Sequence, residues 1–397
     1  SISFGTPVVY EAAAITYPSV TFDSNSNKVV IAYTDYDNSN YGTVIQGTVS
    51  GTAISYGSAL VFNTDTTTYT SVTFDSDSNN AAIAYNADAG TGDSGKFGKG
   101  IVYSTTATNL TAADLLGLSD AAISDTASGN ITVKGGISLT ANTTLPVALS
   151  FGTPVVFEAA DTGGTGCTFD SDSNKVVVAY EDKDNSNYGT GRVGTVSGTA
   201  ISFGADTVFE SAAMDGPVAT FDSNSNKVVI AYRDNGNSSY GTAVVGTVSG
   251  TGISFGTPVV FEAAGINFGT ITFDSDSNQV VIAYKDSGNS GYGTGIVGAV
   301  SGTAISFGTA AVFASAEVGD CSATFDSNEN KVVVAYKVDG VGWYGTAVVG
   351  TVSGTAISFG TPVTFESATS EKIAATFDSN SNKVVIAYTD GGNSQYG

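Results

Sequence analysis

Lys227-Val-Val-Ile-Ala-Tyr232 is apolar at five successive positions and is bracketed by polar turns. A short run of this kind, rich in β-branched residues, reads as a strand covered on both faces. Before it, residues 218–221 form a short strand closed by the turn Asp222-Ser-Asn-Ser-Asn226. After it, a polar loop (234–239) leads to a third strand, Tyr240-Gly-Thr-Ala-Val-Val-Gly-Thr-Val248. Ser249-Gly250 makes a two-residue hairpin turn, and residues 253–262 form a fourth strand. Outside residues 101–149 no segment carries a 3.6-residue apolar period, which excludes helical repeats.

This unit recurs. Phe-Asp-Ser-Asn/Asp stands at Phe22, Phe74, Phe169, Phe221, Phe273, Phe325 and Phe377; five of the six intervals are 52 residues and the second is 95. Repeats therefore start near residues 1, 54, 150, 201, 253, 305 and 357, with an insertion at 101–149 between the third and fourth strands of the second repeat. Pro7, Pro154, Pro258 and Pro362 share one repeat position inside the fourth strand. Proline cannot donate to a ladder, so the fourth strand is the edge and the first is innermost. The expected fold is all-β, with residues 1–397 forming one seven-bladed β-propeller of four-stranded antiparallel blades and a small inserted lobe in the second repeat. A linear stack of seven separate small sheets is the rival. Residues 1–11 form a lone fourth strand, so the last blade is expected to join both chain ends; its third strand is absent from the sequence given, so that blade is expected either to be short of a strand or to take it from the parent polypeptide upstream of Ser1. The chain opens in mid-repeat, its only methionine being Met214, and reads as an excised or processed piece of a longer polypeptide.

Charge narrows the function. The net charge of −23, with 14 Lys+Arg and no His, argues against a nucleic-acid partner, because phosphate needs a basic surface. Without His, Ser-His-Asp and Cys-His catalysis are excluded. No apolar run approaches the length of a membrane span. Cys167 and Cys321 fall in distant repeats and read as free, buried thiols.

The two ends of the array differ in variability. Turns between strands one and two, and three and four, hardly change between copies. At the other end, the residues five before each motif Phe are Tyr17, Tyr69, Gly164, Gly216, Phe268, Asp320 and Lys372. One position earlier stand Thr16, Thr68, Gly163, Asp215, Asn267, Gly319 and Glu371. Twelve past the Phe come Thr34, Asn86, Glu181, Arg233, Lys285, Lys337 and Thr389, and Trp343 is one of the residues preceding the recurrent Tyr-Gly. Variable loops on a rigid scaffold are where recognition concentrates. Tyr17, Tyr69, Phe268 and Trp343 are the expected anchors, with Asp215, Asn267, Asp320, Glu371 and Lys372 as polar partners. Drift on solvated loops is the bland alternative.

Other motifs carry less. Gly189-Thr-Gly-Arg-Val-Gly194 matches a dinucleotide fingerprint but lies inside a strand. The turn from Asp170 resembles a calcium loop, yet Lys175 occupies the glycine position, and an Asx turn explains it better. Asp215, Glu317, Asp320 and Glu371 are the acids available to a glycosidase, but no acid pair recurs. No cofactor, metal or catalytic group is expected. In the insertion, residues 111–116 read as a helical turn and 129–134 as a strand; Asn109, Asn130 and Asn142 open Asn-x-Thr sequons. Docking to a neighbouring subunit or another protein is the sharp reading of the lobe at 101–149, and a decorative loop is the bland one.

The repeat Ser-Phe-Gly-Thr-Pro-Val-Val-Phe-Glu … Thr-Phe-Asp-Ser-Asn-Ser-Asn-Lys-Val-Val-Ile-Ala-Tyr … Gly-Thr-Val-Ser-Gly-Thr resembles repeats in large virion proteins of marine bacteriophages, especially tail-fibre-like proteins, over nearly the whole chain. Residues 109–136 resemble linker modules of those proteins. The resemblance implies a place on the virion surface, outside the cell, host attachment through a surface glycan or protein, and the 101–149 lobe as a candidate contact for other virion or tail proteins. It supplies no catalytic residues.

Overall fold

The computed structural model describes residues 2–88, 96–104, 149–339 and 342–397, except the Phe268 side chain. Among them the fold is all-β and antiparallel, with only two three-residue 3-10 turns, Asn235–Asn237 and Ser287–Asn289. The periodicity of the sequence reappears as seven units. In the fourth, Met214 to Asp222 pairs with Lys227–Asp234, which pairs with Tyr240–Ser249, which pairs with Gly252–Phe255.

Two features of the strands differ from the sequence reading. The first strand is not short and separate. Val155–Asp170, Thr207–Asp222, Val259–Asp274, Ala311–Asp326 and Val363–Asp378 are 16-residue strands that leave one unit as its fourth strand and enter the next as its first. The reason lies in the pairing: Ala213 pairs with Tyr188 of one unit and Met214 with Asp234 of the next, leaving no residue for a loop. The fourth strand, in turn, is broken. Ala200–Phe203 and the start of Thr207–Asp222 both pair with Tyr188–Ser197, and Pro154, Pro258 and Pro362 sit in the corresponding breaks of other units. The break keeps proline out of the ladder at the outer edge.

The innermost strands of successive units touch in order, and Val363–Asp378 of the seventh touches Ile15–Asp23 of the first. Each innermost strand pairs with the second strand of its unit, and in these second strands Tyr33, Tyr85, Tyr180, Tyr232, Tyr284 and Tyr336 are fully buried. Each buried hydroxyl needs a partner. Tyr180, Tyr232, Tyr284 and Tyr388 donate to Glu158, Glu210, Glu262 and Glu366 at 2.9–3.3 Å, each glutamate coming from the preceding unit. The polar turns are Asx turns: the Asp222 carboxylate accepts from Asn224 N, Ser225 N and Ser225 Oγ at 2.7–3.0 Å. Asn226 ends that turn in the left-handed region, which Asn tolerates.

Residues 2–9 carry no strand, contrary to the lone fourth strand expected there, although they occupy its place. Phe4 meets Phe365 at 5.7 Å, as Phe203 meets Phe157 at 5.5 Å. Strand pairing begins only where a third-strand partner exists: Gly397 N donates to Glu11 O at 3.0 Å, and Tyr10 N to Gly397 O at 2.9 Å. Ile101–Ser104, assigned above to the inserted lobe, complete the strand Lys96–Ser104 instead. The lobe's remaining residues, 105–148, with the helical turn, strand and sequons expected there, lie outside the described residues. Among the described residues no helix is long and apolar enough to cross a membrane.

Candidate functional site

Each innermost strand is interrupted near its start. The register shifts between Thr16 and Ser19, Thr68 and Ser71, Thr162 and Thr165, Asp215 and Val218, Asn267 and Thr270, Gly319 and Cys321, and Glu371 and Ala374. These bulges hold the residues five before each motif Phe. Tyr17, Tyr69 and Lys372 have φ of 49–50°, Asp320 has 30° and Gly216 has 57°. A non-glycine residue in the left-handed region costs about 1–2 kcal/mol, and such strain clusters where function needs a side chain re-aimed. None of the seven residues is β-branched, the type that tolerates this backbone least.

The bulge side chains meet across unit boundaries. Tyr17 and Tyr69, from the first and second units, lie with ring centres 4.9 Å apart, and the Thr70 hydroxyl donates to the Tyr17 carbonyl. Lys372 Nζ stands 5.9 Å from the Tyr17 ring centre, and the Lys372 amide donates to Asp320 Oδ2 at 3.2 Å. The same oxygen pairs with Lys337 Nζ at 3.4 Å, and Lys337 Nζ lies 4.1 Å from the centre of the Trp343 ring. Trp343 is itself left-handed, at φ 65°, and 45% exposed. One connected arc therefore runs Trp343, Lys337, Asp320, Lys372, Tyr17, Tyr69. The Lys337–Asp320 pair is largely buried, which holds the two rings' cationic neighbours in place.

Beyond Tyr69 the arc continues into a cavity of about 370 Å³ lined by Tyr69, Asp215, Pro217, Arg233 and Asn267. Arg233 Nη1 donates to Asn267 Oδ1 at 3.0 Å and Nη2 to Ser239 Oγ at 3.1 Å. Burial, and then the Asp215 charge, push the Glu181 carboxyl above its ordinary range. The Tyr69 phenol is raised by burial and by Tyr17, Asp215 and Glu181. These groups therefore share one electrostatic neighbourhood.

Of the expected site residues, Tyr17, Tyr69, Asp320, Trp343 and Lys372 come together, and Asp215 and Asn267 join them through Tyr69. Glu371 stands apart, paired through its backbone with Thr389. Phe268 is in the fifth bulge, but its side chain lies outside the described residues. Lys337 and Arg233 belong to the site and were not singled out from the sequence. Their repeat position mostly serves the joints between units. Thr34 Oγ1 donates to Thr67 O and Asn86 Nδ2 to Thr162 O and Gly163 O, each in the next unit, whereas Lys285 pairs with Glu317 of its own unit's fourth strand at 2.5 Å. Variation in this series is therefore structural in large part. Its one visible signal was the run of cations Arg233, Lys285, Lys337.

Cys167 is buried, with Ser71 Oγ at 3.3 Å from its sulfur, while Cys321 is only partly buried. Among the described residues no three His, Cys, Asp or Glu side chains converge on a metal position.

No protein-family model matches the chain, and no curated protein matches it. Solved structures do. The chain is similar to the BP39L lectin from Burkholderia pseudomallei, with a TM-score of 0.60 at 12% identity over 97% of this chain and 94% of that one. It also matches a protein of unknown function from Dyadobacter fermentans, with a TM-score of 0.48 at 11% identity over 89% and 95% of the two chains. At such identity, the likeness to the lectin is one of fold.

Proposed function

We propose that the seven units close into a seven-bladed β-propeller whose variable mouth is a non-enzymatic recognition site for a host surface glycan or protein. Closure is supported by the contact of the seventh innermost strand with the first. Recognition rests on one observation above the rest: Tyr17 and Tyr69 present two rings 4.9 Å apart, flanked by Lys372 and Asp320. Ring faces cover the apolar face of a sugar at low entropic cost, while the carboxylate and ammonium groups beside them bind hydroxyls. A lectin's use of the same fold is compatible with this reading. On a virion surface, as the repeat's resemblance implies, several copies would convert weak single contacts into avidity.

Hydrolysis is the weaker reading, because Glu317 and Asp320 are both tied to lysines. The test is a glycan array with the isolated chain, followed by analysis of any bound sugar for new reducing ends. Binding without turnover, lost in a Tyr17→Ala/Tyr69→Ala variant, is the expected result. Release of reducing ends that disappears in Asp215→Asn or Asp320→Asn would replace adhesion with catalysis. A structural virion or surface-layer module without its own ligand is the second reading, and the joint contacts of Thr34 and Asn86 favour it. It predicts that scrambling the bulge residues leaves adsorption unchanged.

A further inference from the structure

The cavity beside Tyr69 lies where two neighbouring units carry opposite charges at one repeat position. Twelve residues past the motif Phe, the third unit has Glu181 and the fourth has Arg233. In the third unit the glutamate lies over its own bulge. A Cβ on Gly163 would fall 1.7 Å from Glu181 Oε2, and the Gly164 amide donates to that carboxylate. The seventh unit meets the same need from a neighbour, since the Lys372 amide donates to Asp320 Oδ2 at 3.2 Å. In both units the bulge residue turns its amide onto a carboxylate oxygen. Amides turned out of a ladder in this way form an anion-binding concavity.

The fourth unit has the same bulge without the carboxylate. Gly216 holds the equivalent place at φ 57°, is exposed, and a Cβ built on it would meet nothing within 4 Å. Arg233 stands where the glutamate stood and lines the cavity. Its Nη1 and Nη2 donate to the neutral oxygens of Asn267 and Ser239, and its Nε is buried without a partner. Lys285 and Lys337, at the same repeat position, are each paired with a carboxylate; among the described residues Arg233 is paired with none. A guanidinium fork held open by neutral groups, beside an open amide, suits one planar anion. Asp215 is paired with Arg233 through the strand register, but it is exposed at the rim, where solvent and salt screen its charge. Tyr69 closes one side with a ring that is 37% exposed.

We propose that this cavity sets the substrate class of the mouth: it takes the carboxylate of an acidic sugar between the Arg233 guanidinium and the Gly216 amide, with the sugar ring against Tyr69. Arg233 is then the residue that determines specificity. This selection rests on the glycan reading above. An acidic peptide carries the same carboxylate but no sugar ring for Tyr69, and is the competitor to be tested.

The test uses the chain as it stands on an array of neutral glycans and acidic polysaccharides (polygalacturonate, alginate and hyaluronate), each acid beside the same polymer with its carboxyls reduced to alcohols. At least one acid form should bind roughly tenfold or more tightly than its reduced partner, and added salt should narrow the gap. Arg233→Glu, which gives the fourth unit the third unit's own carboxylate, should keep the parent's Tm and abolish the preference. Asp215→Asn, which removes the opposing charge at the rim, should tighten the acid forms a few-fold and leave the reduced forms unchanged. Acid and reduced forms bound equally, with both lost in Tyr17→Ala/Tyr69→Ala, would overturn the selection and leave the glycan reading standing. So would a folded Arg233→Glu chain that still prefers the acids, or polyglutamate bound as tightly as the acidic polysaccharides. An array with no binding at all would remove the glycan reading and the selection with it.

Discussion

The Tyr33 hydroxyl donates to the Glu11 carboxylate at 2.8 Å, so a residue from the start of the chain is latched to the second strand of the first unit. Burial first, and then this glutamate, push the Tyr33 phenol far above its ordinary value, so it donates at any ordinary pH. The same latch joins four other pairs of units, from Tyr180–Glu158 to Tyr388–Glu366. In the second unit the glutamate position holds Asn63, and the buried Tyr85 hydroxyl has no partner. Removing a glutamate from an intact latch leaves a comparable orphan. Glu210→Ala is expected to cost about 1–3 kcal/mol in urea unfolding. The Glu210→Ala/Tyr232→Phe double variant should recover part of it, because no buried hydroxyl then lacks a partner. A double variant as unstable as the single would show that the latch contributes through packing.

Acidification should stabilise the fold. Burial is the first cause of the raised pKa of Asp35, Asp182, Asp234, Asp339, Glu181 and Glu262. A carboxyl whose folded pKa exceeds its unfolded value, about 4, takes up its proton first in the folded state. Its stabilising contribution is therefore full below the unfolded pKa and is lost as pH rises through the folded one. Falling pH also relieves the self-repulsion of a −23 chain. Tm should be higher at pH 5 than at pH 7; a Tm that falls steadily from pH 7 to pH 5 would contradict this.

At the bulges, glycine and alanine should part company. Tyr17→Ala keeps a left-handed side-chain-bearing residue and loses the ring contact with Tyr69, at a cost of about 1 kcal/mol. Tyr17→Gly loses the same contact but releases backbone strain of similar size, so its Tm should stay close to the parent's. Under the proposed glycan-recognition reading, both should lose glycan binding equally. Alanine at Asn25, Asn224 or Asn380, in the opposite turns, should leave binding intact. Equal binding losses there would place recognition on the other face.

Both thiols should be inert. Burial pushes the Cys167 thiol up to about 11, and burial with the neighbouring Asp320 charge pushes Cys321 up to about 12. The thiolate is the nucleophile, so iodoacetamide at pH 8 should label the native chain roughly a hundredfold more slowly than the unfolded one. Mass spectrometry of the two cysteine peptides gives both rates. A native rate within a few-fold of the unfolded one would mean that the segment around either cysteine opens readily.

The repeat was legible because one aromatic and one Asx turn recur at a fixed interval, and turn chemistry is local. The edge strand was legible from Pro7, Pro154, Pro258 and Pro362, since proline excludes most alternatives. The bulges were not. Glycine would have announced a left-handed residue, as Gly216 does, but Tyr17, Tyr69, Asp320 and Lys372 occupy the same conformation without any compositional sign. The positions were found as variable; their common strain was hidden. Lys337 and Arg233 were passed over because their partners lie 17 and 34 residues away in sequence, across a strand pair or a joint. Sequence variation marks such positions without saying whether a ligand or a neighbouring unit is what they face.

The joints have a further consequence for assembly. A chain of seven near-copies can pair the wrong neighbours while folding, or swap a unit with another molecule, because every innermost strand presents much the same apolar surface. Here the seams are not interchangeable. Asn86 finds two carbonyls where the next unit brings Thr162 and Gly163, Arg233 finds Asn267, and Thr34 finds the Thr67 carbonyl. Set against another unit, the amide or guanidinium would lose its acceptor, at a cost of about 1–3 kcal/mol per seam. Differences between copies thus act as addresses, telling each unit which neighbour is its own.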